Sequence, residues 1–128
     1  MSRRILVVED QIDNRQIFRD LLTAHGYEVI EALDGEQALY VAAAKQPDLI
    51  LMDIQLPLVD GYEATRRLKA DPVLNVIPVI VVTSSDAERD RTTVAAFQVT
   101  RYFRKPSDFD AFMQLGAIVR EVVDGPVA

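Results

Sequence analysis

A continuous apolar segment that ends in a single carboxylate constrains the fold of this chain more than any other feature. The apolar segment is residues 49–52, LILM, and Asp53 follows it within the proline-bounded stretch PDLILMDIQLP at 47–57. A run that is apolar on both faces is typical of a central strand in a parallel sheet, because helices cover both sides of such a sheet. Met52 is then the last interior residue and Asp53 the first at the rim, where the functional residues of open parallel sheets lie. The alternative is a solvated aspartate that caps the next turn, and this segment alone favours neither.

Apolar segments rich in Val, Ile and Leu alternate with segments of helical periodicity along the chain. Strands are predicted over residues 5–8, 28–32, 49–52, 77–82 and 100–103, and helices over 14–25, 35–45, 61–70, 86–97 and from 107 or 108 onward. Strands that alternate with helices pair in parallel through right-handed crossovers. We therefore predict a single α/β domain over residues 1–124, built on a doubly wound parallel sheet, and a tail over 125–128.

Each predicted helix has an apolar face that we expect to pack on the sheet. The residues expected to face inward are Ile17, Phe18, Leu21 and Leu22, then Ala38, Leu39, Ala42 and Ala43, then Ala64 and Leu68, and finally Phe109, Phe112, Met113, Ala117 and Val123. Gly26 and Pro47 are predicted to stop the first two helices. Gly116 costs the last helix about 1 kcal/mol against alanine, so we expect it to admit another backbone.

The composition restricts the classes of function. The chain has 128 residues, no cysteine, one histidine and a formal net charge of −6. The acidic balance opposes nucleic-acid binding, which needs a basic surface, and favours a protein partner or a divalent cation. The absence of cysteine excludes disulfides and zinc–thiolate sites. The apolar start is too short for a signal peptide and no run is long enough to span a membrane, so we expect a soluble, cytoplasmic protein.

Polar residues follow the carboxyl ends of four predicted strands. They are Glu9 and Asp10, Asp53, Thr83 and Ser84, and Lys105 with Pro106. These strand ends meet at one edge of a doubly wound sheet, so we expect three carboxylates, two hydroxyls and one amine to converge. Two unit charges about 4 Å apart repel by roughly 4 kcal/mol at an effective dielectric of about 20, so a cation must accompany the acids. Mg²⁺ fits carboxylates, water and an anionic group best, with Mn²⁺ as a possible substitute.

Individually, these residues also have plain structural interpretations. Thr83 could simply end a β-branched strand, Tyr102 could be an aromatic of an edge strand, and Lys105 could be a solvated lysine. The sequence after the first strand is Glu9-Asp10-Gln11, without the glycines that cradle a phosphate. Nucleotide and flavin binding are therefore disfavoured.

Five motifs occur in a fixed order, which makes coincidence a poor explanation. They are ILVVED at residues 5–10, LMDIQLP at 51–57, DG at 60–61, VTS at 82–84 and YFRKP at 102–106. Over essentially the whole chain they resemble the receiver domain of two-component response regulators, especially the stand-alone receivers of the DivK and CheY type. The resemblance implies a flavodoxin-like (βα)5 fold with strand order 2-1-3-4-5. It also implies a phospho-accepting switch that a histidine kinase or phosphotransfer protein phosphorylates and that signals through protein–protein contacts.

The resemblance implies a role for each acid of the cluster. Asp53 would accept the phosphoryl group in a Mg²⁺-dependent reaction, with its carboxylate attacking phosphorus. Asp10 and Asp53 would ligate the metal directly. The backbone carbonyl of Gln55 would add a third ligand, and Glu9 would act through a bound water.

The residues implied to contact the phosphoryl group follow the last two strands. Lys105 would pair with the phosphoryl oxygens, and Thr83, beside the small Ser84, would hydrogen-bond one of them. Tyr102 would change rotamer together with Thr83. A cis peptide bond before Pro106 would aim the lysine into the site.

The lifetime of the phosphorylated state is implied to depend on Gln55 and Ser85, which flank the path of attacking water in this family. Glutamine orients water but is a poor base, so we expect slow to intermediate self-dephosphorylation. The alternative function is a Mg²⁺-dependent phosphohydrolase that also forms an aspartyl phosphate. Asp53-Ile54-Gln55 lacks the second acid that such enzymes use to protonate a leaving group, which disfavours this alternative.

The chain departs from the family pattern near its predicted output surface. Residues 96–101 lack the usual glycine before the fifth strand. The surface formed by the fourth helix, fifth strand and fifth helix is expected to be locally basic, through Arg89, Arg91, Arg101 and Arg104. It could bind an acidic partner, or a second copy through Asp86, Glu88, Asp90 and Asp108, and the alternative is a solvated rim.

Overall fold

Strands and helices alternate over residues 4–83, and a fifth strand and a C-terminal helix are described beyond them. The computed structural model describes residues 3–53, 61–83, 101–104 and 113–124. The strands are β1 (Arg4–Val8), β2 (Glu28–Ala32), β3 (Leu49–Asp53), β4 (Val79–Thr83) and β5 (Arg101–Arg104), and the helices are α1 (Ile12–Ala24), α2 (Gly35–Lys45), α3 (Gly61–Ala70) and the C-terminal α4 (Gln114–Asp124). All strand pairs are parallel and the order is β2-β1-β3-β4-β5, which confirms the predicted fold. The helix predicted over 86–97 lies outside the described residues.

The sheet separates two apolar cores, because successive strand residues point to opposite faces. Leu6 and Val8 of β1 join the core formed with α2 and α3, whereas Ile5 and Val7 join the core formed with α1 and α4. Every residue of β3 is buried. Coverage on both faces explains why this strand is apolar without alternation.

The predicted inward faces are mostly confirmed. Buried residues include Phe18, Leu21, Leu22, Ala38, Ala42, Ala64 and Leu68, and partly buried ones that pack on a core include Ile17, Leu39 and Val123. Phe109 and Phe112 lie outside the described residues.

Three of the predicted inward residues are exposed. Ala43 is exposed because it lies about 100° around the helix from the buried Ala42. Ala117 is exposed because Leu115 and Val119 form the buried stripe of α4, and a position two residues from Leu115 is rotated about 200° around the helix. Met113 precedes the helix and is also exposed.

Element boundaries follow local backbone chemistry. α1 begins at Ile12, earlier than the predicted residue 14, and Gly26 with φ of 88° follows its end. Gln46 ends α2 in the left-handed conformation with φ of 46°, immediately before Pro47. β4 begins at Val79 and not at residue 77, because a short 3-10 turn (Leu74–Val76) precedes it and proline at position 78 has no N–H to donate.

The described ranges contain no helix that is both long and apolar enough to cross a membrane.

Candidate functional site

Three acids meet where β1 and β3 end at the same edge of the sheet. Val8 pairs with Met52, so Glu9 continues beside Asp53, the last residue of β3. The side chains of Glu9, Asp10 and Asp53 each offer a carboxylate oxygen, and these atoms all lie within 4.8 Å of one another. Glu9 is fully buried, Asp53 is 4% exposed and Asp10 is half-buried. The structure thus brings together the three acids that the sequence singled out.

The charges of this cluster suit it to hold a cation. Carboxylates at such separations repel by about 3 to 4 kcal/mol per pair at an effective dielectric near 20. An all-oxygen set of carboxylates matches the preference of a hard divalent ion such as Mg²⁺. Because Asp10 is only half-buried, solvent reaches one side of the cluster and can complete the coordination of an ion.

A guanidinium supports the loop that carries two of these acids. Nη1 of Arg15 donates hydrogen bonds to the backbone oxygens of Glu9 and Asp10, each at 3.2 Å. Nε of Arg15 donates to Oε2 of Glu31 at 3.1 Å, and Arg19 donates to the other oxygen of the same carboxylate. The sequence analysis missed this group. The sequence feature that could have indicated it was Glu31, a charged residue between Ile30 and Ala32 within strand β2.

The fourth and fifth strands bring further site residues to the same edge. Asp53 pairs with Val82 and Thr83 pairs with Arg104, so Thr83 ends β4 one residue beyond the level of Asp53. Tyr102 lies within β5. The side chains of Thr83 and Tyr102 are not among those described.

Several predicted site residues lie outside the described residues. They are Gln55, Ser84, Ser85, Lys105 and Pro106. Their roles, and the cis peptide bond before Pro106, therefore stay predictions.

Comparison with known families decides the class of the protein. Residues 5–116 match the model of the response regulator receiver domain. The chain belongs to this family. Receiver domains are phospho-accepting switches of two-component signal transduction and not enzymes with a separate substrate, and they work with histidine kinases and downstream targets. This assignment confirms the function class predicted from the five motifs.

Individual relatives agree with the receiver assignment. The polar-differentiation response regulator DivK of Brucella ovis is 42% identical over 114 residues, which cover 89% of this chain and 93% of that protein. The phosphorylated cyanobacterial phytochrome response regulator RcpA has a similar structure, with a TM-score of 0.88, 29% identity and coverage of 100% of this chain and 98% of that one. The receiver domain of a sensor histidine kinase from Pseudomonas aeruginosa, solved with magnesium in its active-site cleft, gives a TM-score of 0.86, 31% identity and coverage of 97% and 99%.

Proposed function

We propose that this receiver domain is switched by phosphorylation of Asp53. The observation that carries the proposal is the convergence of the Glu9, Asp10 and Asp53 carboxylates within 4.8 Å at the carboxyl edge of the sheet. A carboxylate oxygen of Asp53 forms a bond to phosphorus, the bond from phosphorus to the donor breaks, and its electron pair leaves with the donor. The product is an acyl phosphate on the end of β3.

Mg²⁺ is the cofactor that this oxygen set fits. Asp10 and Asp53 would hold it directly, the backbone oxygen of Gln55 would add a ligand, and Glu9 would act through water. When bound, the ion supplies positive charge that offsets both the carboxylates and the incoming phosphoryl oxygens. The receiver domain of the Pseudomonas aeruginosa kinase, with magnesium in its cleft, supports this choice.

The remaining roles come from the last two strands and their loops. Lys105 would neutralise the phosphoryl oxygens, while Thr83 and Ser84 would contact them. Tyr102 would report the change to the surface by altering its rotamer. A cis peptide bond before Pro106 would position the lysine.

The protein would catalyse only its own phosphorylation and dephosphorylation. Gln55 and Ser85 would set the lifetime of the phosphorylated state. The phosphoryl donor would be a histidine kinase or histidine phosphotransfer protein in the cytoplasm, and the output would be a protein contact. The surface near Arg101 and Arg104 would bind that partner or a second copy.

Labelling with a small phosphodonor tests the proposal. The wild-type chain with Mg²⁺ should take up one phosphoryl group, and neither Asp53→Asn nor the wild type in EDTA should be labelled. Asp20→Asn, at an exposed aspartate of α1, is the matched control and should label normally.

Two outcomes would contradict the assignment. Labelling that persists in Asp53→Asn would place the phosphorylation site elsewhere. Repeated turnover of a phosphomonoester would favour the phosphohydrolase alternative.

A further inference from the structure

Arg15 makes an unusual set of contacts for a residue on the surface of a helix. One nitrogen, Nη1, donates hydrogen bonds to two backbone oxygens, those of Glu9 and Asp10, at 3.2 Å each. These two carbonyls belong to the peptide bonds on either side of the Asp10 Cα. Because each peptide unit is planar, hydrogen bonds to both carbonyls restrain φ and ψ of Asp10 and hence the direction of its Cα–Cβ bond.

Helix geometry explains how the guanidinium reaches this loop. Side chains of an α-helix point toward its N-terminus, so Arg15, at the end of the first turn of α1, extends back over the segment that precedes the helix. The Arg15 side chain is only 15% exposed, so its hydrogen bonds are partly shielded from water.

The Glu31 carboxylate holds the guanidinium of Arg15 in place. Glu31 of β2 accepts the Nε–H of Arg15 at 3.1 Å through Oε2, and it accepts the Nε–H of Arg19 at 3.1 Å through Oε1. Charge-assisted hydrogen bonds of this kind are stronger than neutral ones. The group therefore links helix α1, strand β2 and the loop after β1.

We propose that Arg15 is a positioning residue that holds Asp10 in its metal-binding orientation, with Glu31 fixing the guanidinium. The inference rests on the proposed function, because it assigns Asp10 to the Mg²⁺ site. Residues that orient metal ligands in this way typically change metal affinity by about 10-fold to 100-fold when they are replaced.

Arg19 provides a matched control within the same group. Arg15→Gln and Arg19→Gln each remove one positive charge and one partner of Glu31, but only Arg15 contacts the loop carbonyls. Charge loss alone would strengthen Mg²⁺ binding in both variants, because a nearby cation is removed. Weaker binding in Arg15→Gln therefore has a geometric cause.

The experiment is calorimetric titration of the full chain with Mg²⁺, together with carbonyl ¹³C NMR of the metal-free protein. Arg15→Gln should weaken Mg²⁺ binding by about 10-fold, whereas Arg19→Gln should leave it unchanged or slightly tighter. In the metal-free protein the Glu9 and Asp10 carbonyl resonances should move in Arg15→Gln and stay in Arg19→Gln. Arg15→Lys should recover only part of the affinity, because one ammonium cannot reproduce the planar fork of donors.

Equal effects of the two glutamine variants, or unchanged affinity in Arg15→Gln, would overturn the proposal. If Arg15→Gln does not fold, Arg15→Lys against Arg19→Lys makes the same comparison. If the wild type binds no Mg²⁺, the proposed function fails, while the metal-free carbonyl resonances still decide whether Arg15 orders the loop.

Discussion

At position 116 the absence of a Cβ lets helix α4 approach the end of helix α1. A Cβ built there would lie 2.8 Å from Cδ2 of His25 and closer still to its Nε2. Nδ1 of the same ring is 3.1 Å from Nη2 of Arg120. The sequence predicted that Gly116 admits another backbone, but the close neighbour is this imidazole ring.

Replacing Gly116 with alanine should therefore destabilise the fold. Overpacking against His25 costs about 1 to 3 kcal/mol, which over most of that range exceeds the gain of about 1 kcal/mol in helix propensity. The measurement is the free energy of unfolding in urea, with circular dichroism as the probe of unfolding.

The double variant Gly116→Ala, His25→Ala is the control. With the ring removed, the alanine at 116 should become neutral or stabilising relative to His25→Ala alone. A single Gly116→Ala variant as stable as the wild type would show that the ring moves aside without loss.

At the scale of elements, polar contacts fasten the end of α4 to the amino edge of the sheet. The Tyr27 hydroxyl donates to Oδ2 of Asp124 at 3.1 Å, and Nε of Arg3 lies 3.7 Å from Oδ1 of the same carboxylate. Burial raises the pKa of Tyr27, and the hydrogen bond to Asp124 raises it further, against a smaller opposing effect of Arg120. The last helix is thus attached by a group that must keep its proton.

The raised pKa of Tyr27 gives an alkaline dependence of stability. The folded state holds this proton more tightly than the unfolded state, whose tyrosine pKa is about 10. The protonated Tyr27 therefore makes its full contribution to stability below a pH of about 10, and this contribution is lost as the pH rises through the pKa of the folded state. Tyr27→Phe should lower the free energy of unfolding by about 1 kcal/mol at neutral pH. Above a pH of about 10, the free energy of unfolding of this variant should fall less steeply with pH than that of the wild type.

Unfolding free energies measured from neutral to alkaline pH check this expectation. Tyr40→Phe is the control, because Tyr40 is 77% exposed. If the free energies of unfolding of Tyr27→Phe and the wild type fall in parallel as the pH rises, the hydrogen bond to Asp124 does not cause the loss of stability at alkaline pH.

At the scale of the whole molecule, the three clustered carboxylates of an acidic chain repel one another and so oppose folding. The chain carries a net charge of −6, and three of its carboxylates share one partly buried cluster. Such a cluster reduces the stability of the metal-free domain, and a bound cation restores it. Stability and metal binding are therefore coupled through the same residues.

Asp10→Asn should separate the two effects. In EDTA this variant should be more stable than the wild type by about 1 kcal/mol or more, because one repulsive charge is gone. Mg²⁺ at 100 times its dissociation constant should stabilise the wild type by about 2.7 kcal/mol and the variant much less. Thermal unfolding with and without Mg²⁺ measures both. Equal stabilisation of the two proteins by Mg²⁺ would remove Asp10 from the metal site.

The sequence was informative wherever the structure depends on local pattern. The apolar run before Asp53 predicted a central strand, and strand ends predicted the meeting of Asp53 with Glu9 and Asp10. Rotation around a helix was harder to predict, since Ala117 lies on the exposed side of α4. The Arg15–Glu31 contact spans 16 residues and depends on how α1 lies over β2, so no local pattern predicted it.

Strand β2 forms one edge of the sheet, and an edge strand presents backbone groups on which a second chain can polymerise. Charged side chains line this edge and oppose such growth, because Glu28 is exposed and the half-buried Glu31 is paired with Arg15 and Arg19. A valine at position 31 would suit an isolated strand better, yet it would leave a more apolar edge and release Arg15. Glu31 thus contributes both to the resistance of this edge to aggregation and to the order of the acidic loop, which narrows the substitutions that position 31 can accept.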